Sequence, residues 1–380
     1  MTTTISPDEL ARPTWAEVDL GRIAANYRAI RRAVTPAKVM AVVKADAYGH
    51  GLLAVARHLQ ASGADCFGVA LVEEGIALRQ AGIARPILVL GAIHPPQIPL
   101  FLAHDLTLTA SSLDKLEAIE QTAAAAGKIA RAHLELDTGM ERTGVHWHSA
   151  EAFLGRSLSC QHVQVEGIYS HFANADAADL TSARGQLERF TAALRFYEQR
   201  GLPTPLRHIA NSGGVLQLPE SHLEMVRVGI LMYGVVPSAE CRRTVAVRPA
   251  LALRSTVLYF KVVDAHTPIS YGHTWQADHP IRVITVPVGY GDGYMRALSN
   301  RAEVLLRGKR YPLVGRVCMD QFMVNLEGDE GYNGERVTLL GEDGDECITA
   351  AELAERAGTI PYEVLTGIHA RVPRVYRNDE

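Results

Sequence analysis

Reactive side chains follow several short apolar segments of this sequence. The stretch AVVKADAYGHG (residues 41–51) ends an apolar run at Lys44 and continues into a polar turn that contains glycine. Four other apolar segments end in or beside comparable groups, which are Asp137 with Arg142, Ser170 with His171, Asn211–Gly214, and Arg227 with Gly229 and Ile230. Singly, each is an ordinary loop or strand residue. Together they supply an amine, two guanidiniums, an imidazole and two glycine-containing turns.

This set of groups predicts a cofactor-dependent reaction. A partly desolvated lysine has a lowered pKa and can form a Schiff base. The turns NSGG (211–214) and VGI (228–230) could offer backbone N–H groups to a phosphate, and a nearby arginine could bind a carboxylate or face a ring nitrogen. The combination indicates pyridoxal 5'-phosphate bound to Lys44. A phosphosugar enzyme with a catalytic lysine and no cofactor is the alternative that these residues leave open.

The segments that carry these groups alternate with helical stretches. Strand candidates lie at 39–43, 66–70, 86–90, 106–110, 130–136, 163–170, 206–210 and 224–229, with helices such as 95–103, 112–126 and 181–200 between them. A first helix is expected from Glu17, with one apolar face formed by Leu20, Ile23, Tyr27, Ile30 and Val34. This pattern predicts the α/β class and a (β/α)8 TIM-type barrel, in which reactive groups lie at the carboxyl ends of the strands.

The pattern changes after about residue 238. Strand-like pieces such as LALRSTVLYFKVVDA (251–265), IRVITVPVG (281–289) and ERVTLLG (335–341) are separated by turns, and two helical pieces follow at 349–358 and 361–368. We therefore predict two domains. Residues 12–240 form the barrel, and residues 241–380, joined by residues 1–11, form a mainly β domain.

The composition limits the classes of partner. Of the 380 residues, 47% are hydrophobic and 21% are charged, the net charge is −4, and the basic residues are scattered. We therefore expect no binding of nucleic acid or membrane, and neither a signal peptide nor a membrane-spanning segment. Five widely spaced cysteines without a CxxC pair favour reduced thiols and a cytoplasmic protein. No metal ligands are predicted.

Nine motifs along the chain resemble those of the bacterial alanine racemases. They are AVVKADAYGHG, LDTGMERTGV, YSHFANAD, ANSGG, VRVGILMYG, SYGHTW, VGYGDGYMRALSN, GRVCMDQFMVNL and PYEVLTGIHARVPRVY, and they occur in the family's order over nearly the whole chain. The resemblance implies a racemase of a small amino acid that depends on pyridoxal phosphate and consists of a barrel and a β domain. It also implies a head-to-tail homodimer with shared active sites, in which the barrel of one subunit meets the β domain of the other.

The resemblance implies roles for individual residues. Lys44 would carry the cofactor and serve as the base on the D-face of the substrate, and Tyr271 of the partner subunit would be the base on the L-face. Two bases on opposite faces are the simplest arrangement for a racemisation. His171 and Arg227 would lie beside the tyrosine, and Arg227 would also face the pyridine nitrogen. An arginine stays protonated and cannot readily give that nitrogen a proton, so the ring becomes a weaker electron sink.

Further positions match binding residues of the family. The groups expected at the cofactor phosphate are Tyr48, Ser212, Gly229, Ile230 and Tyr362, with Asn211 beside the cofactor. The substrate carboxylate would be bound by Arg142 and by the backbone N–H of Met319 across the dimer, and Asp320 would lie next to it at the entrance of the site.

Two residues depart from the family pattern. At the position of Glu135 many members carry a lysine modified to a carbamate, which holds the substrate-binding arginine. Our hypothesis is that Glu135 supplies this negative charge directly and orients Arg142. Glu141 stands where the family usually has glycine, and there we expect a solvated loop acid.

Two other functions remain as alternatives to an alanine racemase that supplies D-alanine for peptidoglycan or catabolises it. One is a serine, lysine or broad-specificity racemase of the same fold. Tyr362 argues against it, because this tyrosine would narrow the substrate pocket. A small apolar pocket distinguishes between substrates by about 1–3 kcal/mol for each methylene group. The other is a carrier that binds pyridoxal phosphate without catalysis. A carrier would not need the second domain with Tyr271 and the motif CMDQ.

Overall fold

The computed structural model describes residues 11–378. Its first strand, β1 (Thr14–Asp19), leads directly into helix α1 (Leu20–Val34), where the Asp19 side chain accepts a hydrogen bond from the N–H of Arg22 (2.8 Å). The apolar face of this helix is buried as expected, but the helix begins later than the predicted Glu17. Residues 14–18 instead pair with residues 251–255 as a strand, which buries Ala16 and Val18.

The N-terminal half alternates strands and helices in the way that the sequence pattern predicts. Its strands are β2 (Lys38–Val42), β3 (Cys66–Val69), β4 (Ile87–Val89), β5 (Leu108–Ala110), β6 (Ala130–Asp137), the short β7 (Val145–His146), β8 (Val163–Tyr169), β9 (Leu206–His208) and β10 (Met225–Val228). Its helical segments are α2 (Lys44–Tyr48), α3 (Leu52–Ala61), α4 (Val72–Gln80), α5 (Ile98–Ala103), α6 (Leu113–Ala125), α7 (Glu151–Leu158), α8 (Thr181–Glu198) and α9 (Ser212–Gln217).

Parallel pairing closes these strands into a barrel. The strands pair in the orders β10-β2-β3-β4 and β5-β6-β8-β9, and β7 lies along β6. At one seam Val89 N–H donates to the carbonyl of Thr107 (3.1 Å) and Thr107 N–H to that of Ile87 (2.9 Å). At the other seam Arg227 N–H donates to the carbonyl of Ala210 (2.9 Å). The carboxyl ends of the eight strands therefore surround one opening.

The C-terminal part is mainly β, as predicted. Its strands are β11 (Leu251–Thr256), β12 (Tyr259–Val263), β13 (Pro268–Ile269), β14 (Trp275–Gln276), β15 (Ile281–Val286), β16 (Glu303–Leu306), β17 (Lys309–Val314), β18 (Phe322–Glu327), β19 (Arg336–Asp343), β20 (Glu346–Ile348) and β21 (Arg374–Arg377), with helices α10 (Ala350–Ala357) and α11 (Pro361–Thr366). One sheet has the order β12-β15-β18-β17-β16-β19-β11-β1-β21, so β1 belongs to it rather than to the barrel.

The division of the chain at residues 240 and 241 stays a prediction, and residues 1–10 of the predicted β domain lie outside the described residues. The two parts meet at segment α2. A Cβ at Gly49, which has φ +81°, would lie 2.2 Å from the carbonyl oxygen of Leu365, and Arg374 Nε donates to the carbonyl of Gly49 (3.0 Å). None of the helices between residues 11 and 378 is long and apolar enough to cross a membrane.

Candidate active site

Most of the predicted site residues of the barrel lie at the carboxyl ends of its strands. They are Lys44 after β2, Glu135 in β6 with Arg142 beyond it, His171 after β8, Asn211 and Ser212 after β9, and Arg227 in β10 with Gly229 and Ile230 after it. After the exposed Lys38, strand β2 is an apolar run buried on both faces, so its end fixes where Lys44 leaves the barrel wall. The barrel thus brings these side chains to one rim.

Lys44 has the surroundings of a reactive amine. Burial lowers its pKa, the positive charges of Arg142 and Arg227 lower it further, and the carboxylate of Glu74 opposes them. Within residues 11–378, no hydrogen bond or ion pair holds its amino group. The amine is therefore available for a Schiff base and, when released from it, for proton transfer.

The chain after Lys44 forms a left-handed helical turn. Ala45, Asp46, Ala47 and Tyr48 all have φ of +53° to +54°. For residues with a Cβ this conformation costs about 1–2 kcal/mol each, so neighbouring groups must hold it. The carboxylate of Glu74 accepts a hydrogen bond from Ala45 N–H (2.7 Å) and that of Asp46 accepts one from Leu52 N–H (2.7 Å). The turn places the Tyr48 ring 5.0 Å from that of Tyr233 and 6.1 Å from that of Tyr362.

The hydroxyl groups and backbone at the end of β10 form a small polar cradle. A Cβ at Gly229 would lie 2.2 Å from the hydroxyl oxygen of Tyr48, so only glycine allows that hydroxyl to lie against the backbone there. The Ser212 hydroxyl accepts from Leu231 N–H (3.4 Å), and the Asn211 side chain caps α9. Two hydroxyls beside a buried backbone turn that begins with glycine fit a phosphate group.

Arg227 occupies a buried position in the rim. Its guanidinium donates to the carbonyls of Ser170 (2.7 Å) and His208 (3.1 Å) and to Nδ1 of both His208 (2.8 Å) and His171 (3.1 Å). Burial lowers the pKa of Arg227 to about 10, so the group remains positively charged at neutral pH. Because guanidinium N–H groups only donate, both imidazoles must accept with Nδ1 and carry their proton on Nε2.

The structure adds two histidines that the sequence analysis does not place at the site. Nε2 of His208 lies 2.8 Å from Nδ1 of His133, so the tautomer set by Arg227 extends to a second buried imidazole. Burial and the charge of Arg227 lower the pKa of His133 to about 3, and they hold that of His208 well below its ordinary value. A histidine within the apolar strand segment LRHIA is the signal that could have identified His208.

The loops that contain Tyr271 and Met319 lie together in the β domain, away from the hydrogen bonds of Arg227, His208 and His133. The Ser270 hydroxyl donates to the carbonyl of Arg316 (2.7 Å), which joins the two loops. The side chains of Tyr271 and Met319 are 71% and 53% exposed. In the part of the chain described here, neither side chain has a hydrogen bond or ring contact with the barrel residues. One chain therefore brings the predicted site residues of the barrel together, whereas Tyr271, Met319 and Asp320 lie on a separate surface.

Sequence comparison assigns both parts of the chain. The family description "Alanine racemase, N-terminal domain" matches residues 18–237, and "Alanine racemase, C-terminal domain" matches residues 250–376. The chain belongs to the alanine racemase family. Alanine racemases from Carboxydothermus hydrogenoformans and Symbiobacterium thermophilum are 43% and 45% identical to it over 367 residues, with 96% of this chain and 100% and 97% of theirs covered.

Solved structures of alanine racemases have the same fold. That from Clostridium difficile 630 has a TM-score of 0.92 at 34% identity, with 97% of both chains covered. That from Bartonella henselae, described with covalently bound pyridoxal phosphate, has a TM-score of 0.88 at 27% identity, with 96% of this chain and 99% of that chain covered. The prediction of a barrel followed by a mainly β domain is thereby confirmed.

The two residues that depart from the alanine racemase pattern differ in their surroundings. Glu135 is buried and its Oε1 accepts from the Thr143 hydroxyl (2.9 Å), whereas its Oε2 has no hydrogen-bond partner among residues 11–378. Burial raises the pKa of Glu135, although the charges of Arg227 and Arg142 act against it. Glu141 is exposed with φ +55°, a conformation that glycine adopts more easily, and its carboxylate lies 3.8 Å from His146.

Proposed function

We propose that this chain interconverts L- and D-alanine with pyridoxal phosphate as its cofactor. The observation that carries the proposal is a lysine of lowered pKa at a barrel rim, next to the Tyr48–Gly229 cradle and the buried Arg227. Membership of the alanine racemase family and relatives of that name at more than 40% identity support the substrate. The product, D-alanine, would serve peptidoglycan synthesis, or the reverse direction would catabolise it.

The cofactor fits the barrel rim. Lys44 would hold it covalently. Its phosphate would be bound by the hydroxyls of Tyr48 and Ser212, the backbone at Gly229 and Ile230, and Tyr362, with Asn211 beside it. Arg227 would face its ring nitrogen. When bound, pyridoxal phosphate withdraws electrons from the substrate α-carbon and so makes its proton acidic.

Two bases would then move the α-proton on opposite faces of the substrate. The amino group of Lys44 would take or return the proton on the D-face, and the hydroxyl of Tyr271 of the partner subunit would do so on the L-face. His171, whose Nδ1 accepts from Arg227, would present the opposite side of its ring toward the incoming tyrosine. The 71% exposure of Tyr271 supports a homodimer with shared active sites, because a second copy would supply the enclosure that one chain lacks.

Arg142 and Glu135 would bind and orient the substrate carboxylate. The Thr143 hydroxyl donates to Glu135, and the charge of the adjacent Arg142 acts to lower the pKa of Glu135. A Cβ at Gly144, with φ +105°, would lie 3.1 Å from the carbonyl oxygen of Glu135, so the turn folds tightly back onto β6. The backbone N–H of Met319 of the partner subunit would complete the carboxylate site, with Asp320 at the entrance.

The cytoplasm is the compartment that we propose. All five cysteines are free thiols in the structure, as a reducing compartment would keep them.

A substrate panel tests the proposed function. Purified protein saturated with pyridoxal phosphate is assayed for racemisation of alanine, serine, lysine and arginine. We expect alanine to be preferred, because Tyr362 narrows the pocket to a methyl group. Comparable activity on serine or lysine would support the broad-specificity alternative. Cofactor binding without exchange at the α-carbon of L-alanine would support a carrier.

A further inference from the structure

The turn that contains Met319 is held by another loop of its own domain. The N–H groups of Tyr290 and Gly291 donate to the carbonyls of Cys318 (3.0 Å) and Met319 (2.8 Å). The approach leaves no room for side chains, because a Cβ at Gly289 would lie 2.3 Å from the carbonyl oxygen of Met319. These contacts fix the carbonyl side of the turn at residues 318–321.

Arg371 joins the same turn to a buried carboxylate. Its Nη2 donates to Asp320 Oδ1 (2.6 Å) and its Nε to Asp292 Oδ1 (2.6 Å). The Asp292 carboxylate is fully buried and also accepts from Arg12 Nη2 (2.7 Å) and Gly289 N–H (2.9 Å). Burial acts to raise the pKa of Asp292, but these hydrogen bonds outweigh it and lower the pKa, so the carboxylate is charged at neutral pH.

We propose that Asp292 and Arg371 are positioning residues that fix the direction of the Met319 backbone N–H toward the substrate carboxylate. The proposal rests on the proposed function, in which that N–H completes the carboxylate site of the partner. Asp292 orients the guanidinium of Arg371, and Arg371 holds Asp320, which follows Met319 directly. Because the Met319 and Asp320 side chains are largely exposed, packing contributes little to holding the turn. The charged hydrogen bonds of Arg371 therefore add to the backbone hydrogen bonds from Tyr290 and Gly291 in holding the turn.

Two variants and a matched control test this role. Asp292→Asn removes the buried charge with little change of shape, and Arg371→Met removes both hydrogen bonds from a side chain that is 43% exposed. The control is Glu17→Gln. Glu17, in strand β1, is also a buried carboxylate and accepts from Arg254 (3.3 Å) and Arg377 (2.9 Å), but it has no hydrogen bond to residues 289–292 or 318–321.

The first measurement does not depend on activity. Hydrogen–deuterium exchange of peptides that cover residues 316–322 is expected to be faster by about threefold or more in D292N and R371M than in the unsubstituted protein, and unchanged in E17Q. In the loaded enzyme, the KM for alanine and the inhibition constant of propionate, which has the carboxylate but no amine, should both rise about tenfold, or about 1.4 kcal/mol, with little change of kcat.

Each outcome decides the proposal. Unchanged exchange in both variants overturns it, whether or not the protein racemises alanine. Faster exchange with unchanged KM and unchanged propionate inhibition overturns the link to the carboxylate. An unsubstituted protein that does not racemise alanine would refute the proposed function, and with it that link, while exchange would still decide whether Asp292 and Arg371 hold the turn. If D292N fails to fold, R371M at its partly exposed position decides the question.

Discussion

Lys44 and Tyr271 differ in how much of their surroundings a single chain supplies. Lys44 is partly buried, and burial together with the charges of Arg142 and Arg227 lowers its pKa. Tyr271 is 71% exposed on the β domain. The surroundings of the lysine are thus supplied within one chain, whereas the proposed role of the tyrosine requires a second surface to enclose it.

Replacing Lys44 or Tyr271 should show which of the two residues moves the proton on each face of the substrate. Tyr271→Phe removes the hydroxyl and keeps the ring, so exchange of the α-proton of L-alanine with solvent deuterium should fall by about 100-fold or more, while the absorbance of the bound cofactor is kept. Lys44→Ala should lose exchange from both enantiomers. Proton NMR of each enantiomer in D₂O measures this, and Tyr259→Phe, at another exposed tyrosine, serves as the control. Racemase activity in either variant would refute the assignment of the two bases.

Glu135 should act on substrate binding through Arg142. Glu135→Gln removes the negative charge but can still accept from Thr143, so we expect the KM for alanine to rise about tenfold, equivalent to about 1.4 kcal/mol. The control is Glu141→Gln, the exposed acid one residue before the arginine, which should change the KM by less than about twofold. Steady-state kinetics of both variants provide the comparison. An unchanged KM and kcat in E135Q would show that Glu135 does not orient the arginine.

The raised pKa of Glu135 predicts that the stability of the folded protein depends on pH. Burial raises the pKa of Glu135 above the ordinary 4.5, so the folded protein binds this proton more tightly than the unfolded chain does. Its contribution to stability is therefore complete below pH 4.5 and is lost as the pH rises through the raised folded-state pKa. Urea unfolding at several pH values in this range should show that the free energy of unfolding declines less in E135Q than in the unsubstituted protein. Equal declines would mean that Glu135 keeps its ordinary pKa.

At the scale of elements, the left-handed turn after Lys44 is the most strained part of the site. Ala45 is exposed with φ +53°, a conformation that glycine adopts without cost to its Cβ. Ala45→Gly should therefore leave the free energy of unfolding unchanged or raise it by up to about 1 kcal/mol. The same change at Ala25, exposed in the interior of α1, should lower it by about 0.5–1 kcal/mol. Denaturant unfolding of both variants tests this, and equal losses would contradict a left-handed turn.

The elements that position the site follow from the sequence to a large extent. All eight predicted barrel strands occur with both ends within two residues of the expected positions, because buried parallel strands give continuous apolar runs between turns. Rim positions such as Lys44 and His171 follow from the strand ends. The sequence does not predict strand β1, because the helical spacing of apolar residues in α1 extends back to Glu17. The residues that pair with β1 lie more than 200 positions later in the sequence.

The remaining features depend on contacts that a linear pattern does not contain. The hydrogen-bonded series Arg227–His208–His133 requires three strands to come together. The Asp292 carboxylate accepts hydrogen bonds from Arg12 and Arg371, which lie near opposite ends of the sequence. Four consecutive left-handed residues in ADAY run against the local preference of alanine, so only the surrounding structure reveals them.

At the scale of the whole molecule, the predicted site residues form two sets on two surfaces of one chain. The barrel rim carries Lys44, Arg142 and Arg227, and the β domain carries Tyr271 and Met319, both exposed. A symmetric dimer in which each surface meets its counterpart on the other copy would complete two sites at once. The proposed activity therefore depends on the assembly of this dimer.

Complementation between two inactive variants tests this central claim most directly. Lys44→Ala and Tyr271→Phe proteins, each inactive alone, are co-expressed with different tags and the mixed dimers are isolated. Each mixed dimer would contain one site with both substitutions and one intact site, so the isolated mixed dimers should recover about one half of the unsubstituted activity toward alanine. Mixed dimers that form but racemise no alanine, while the unsubstituted protein does, would contradict an active site built from Lys44 of one subunit and Tyr271 of the other.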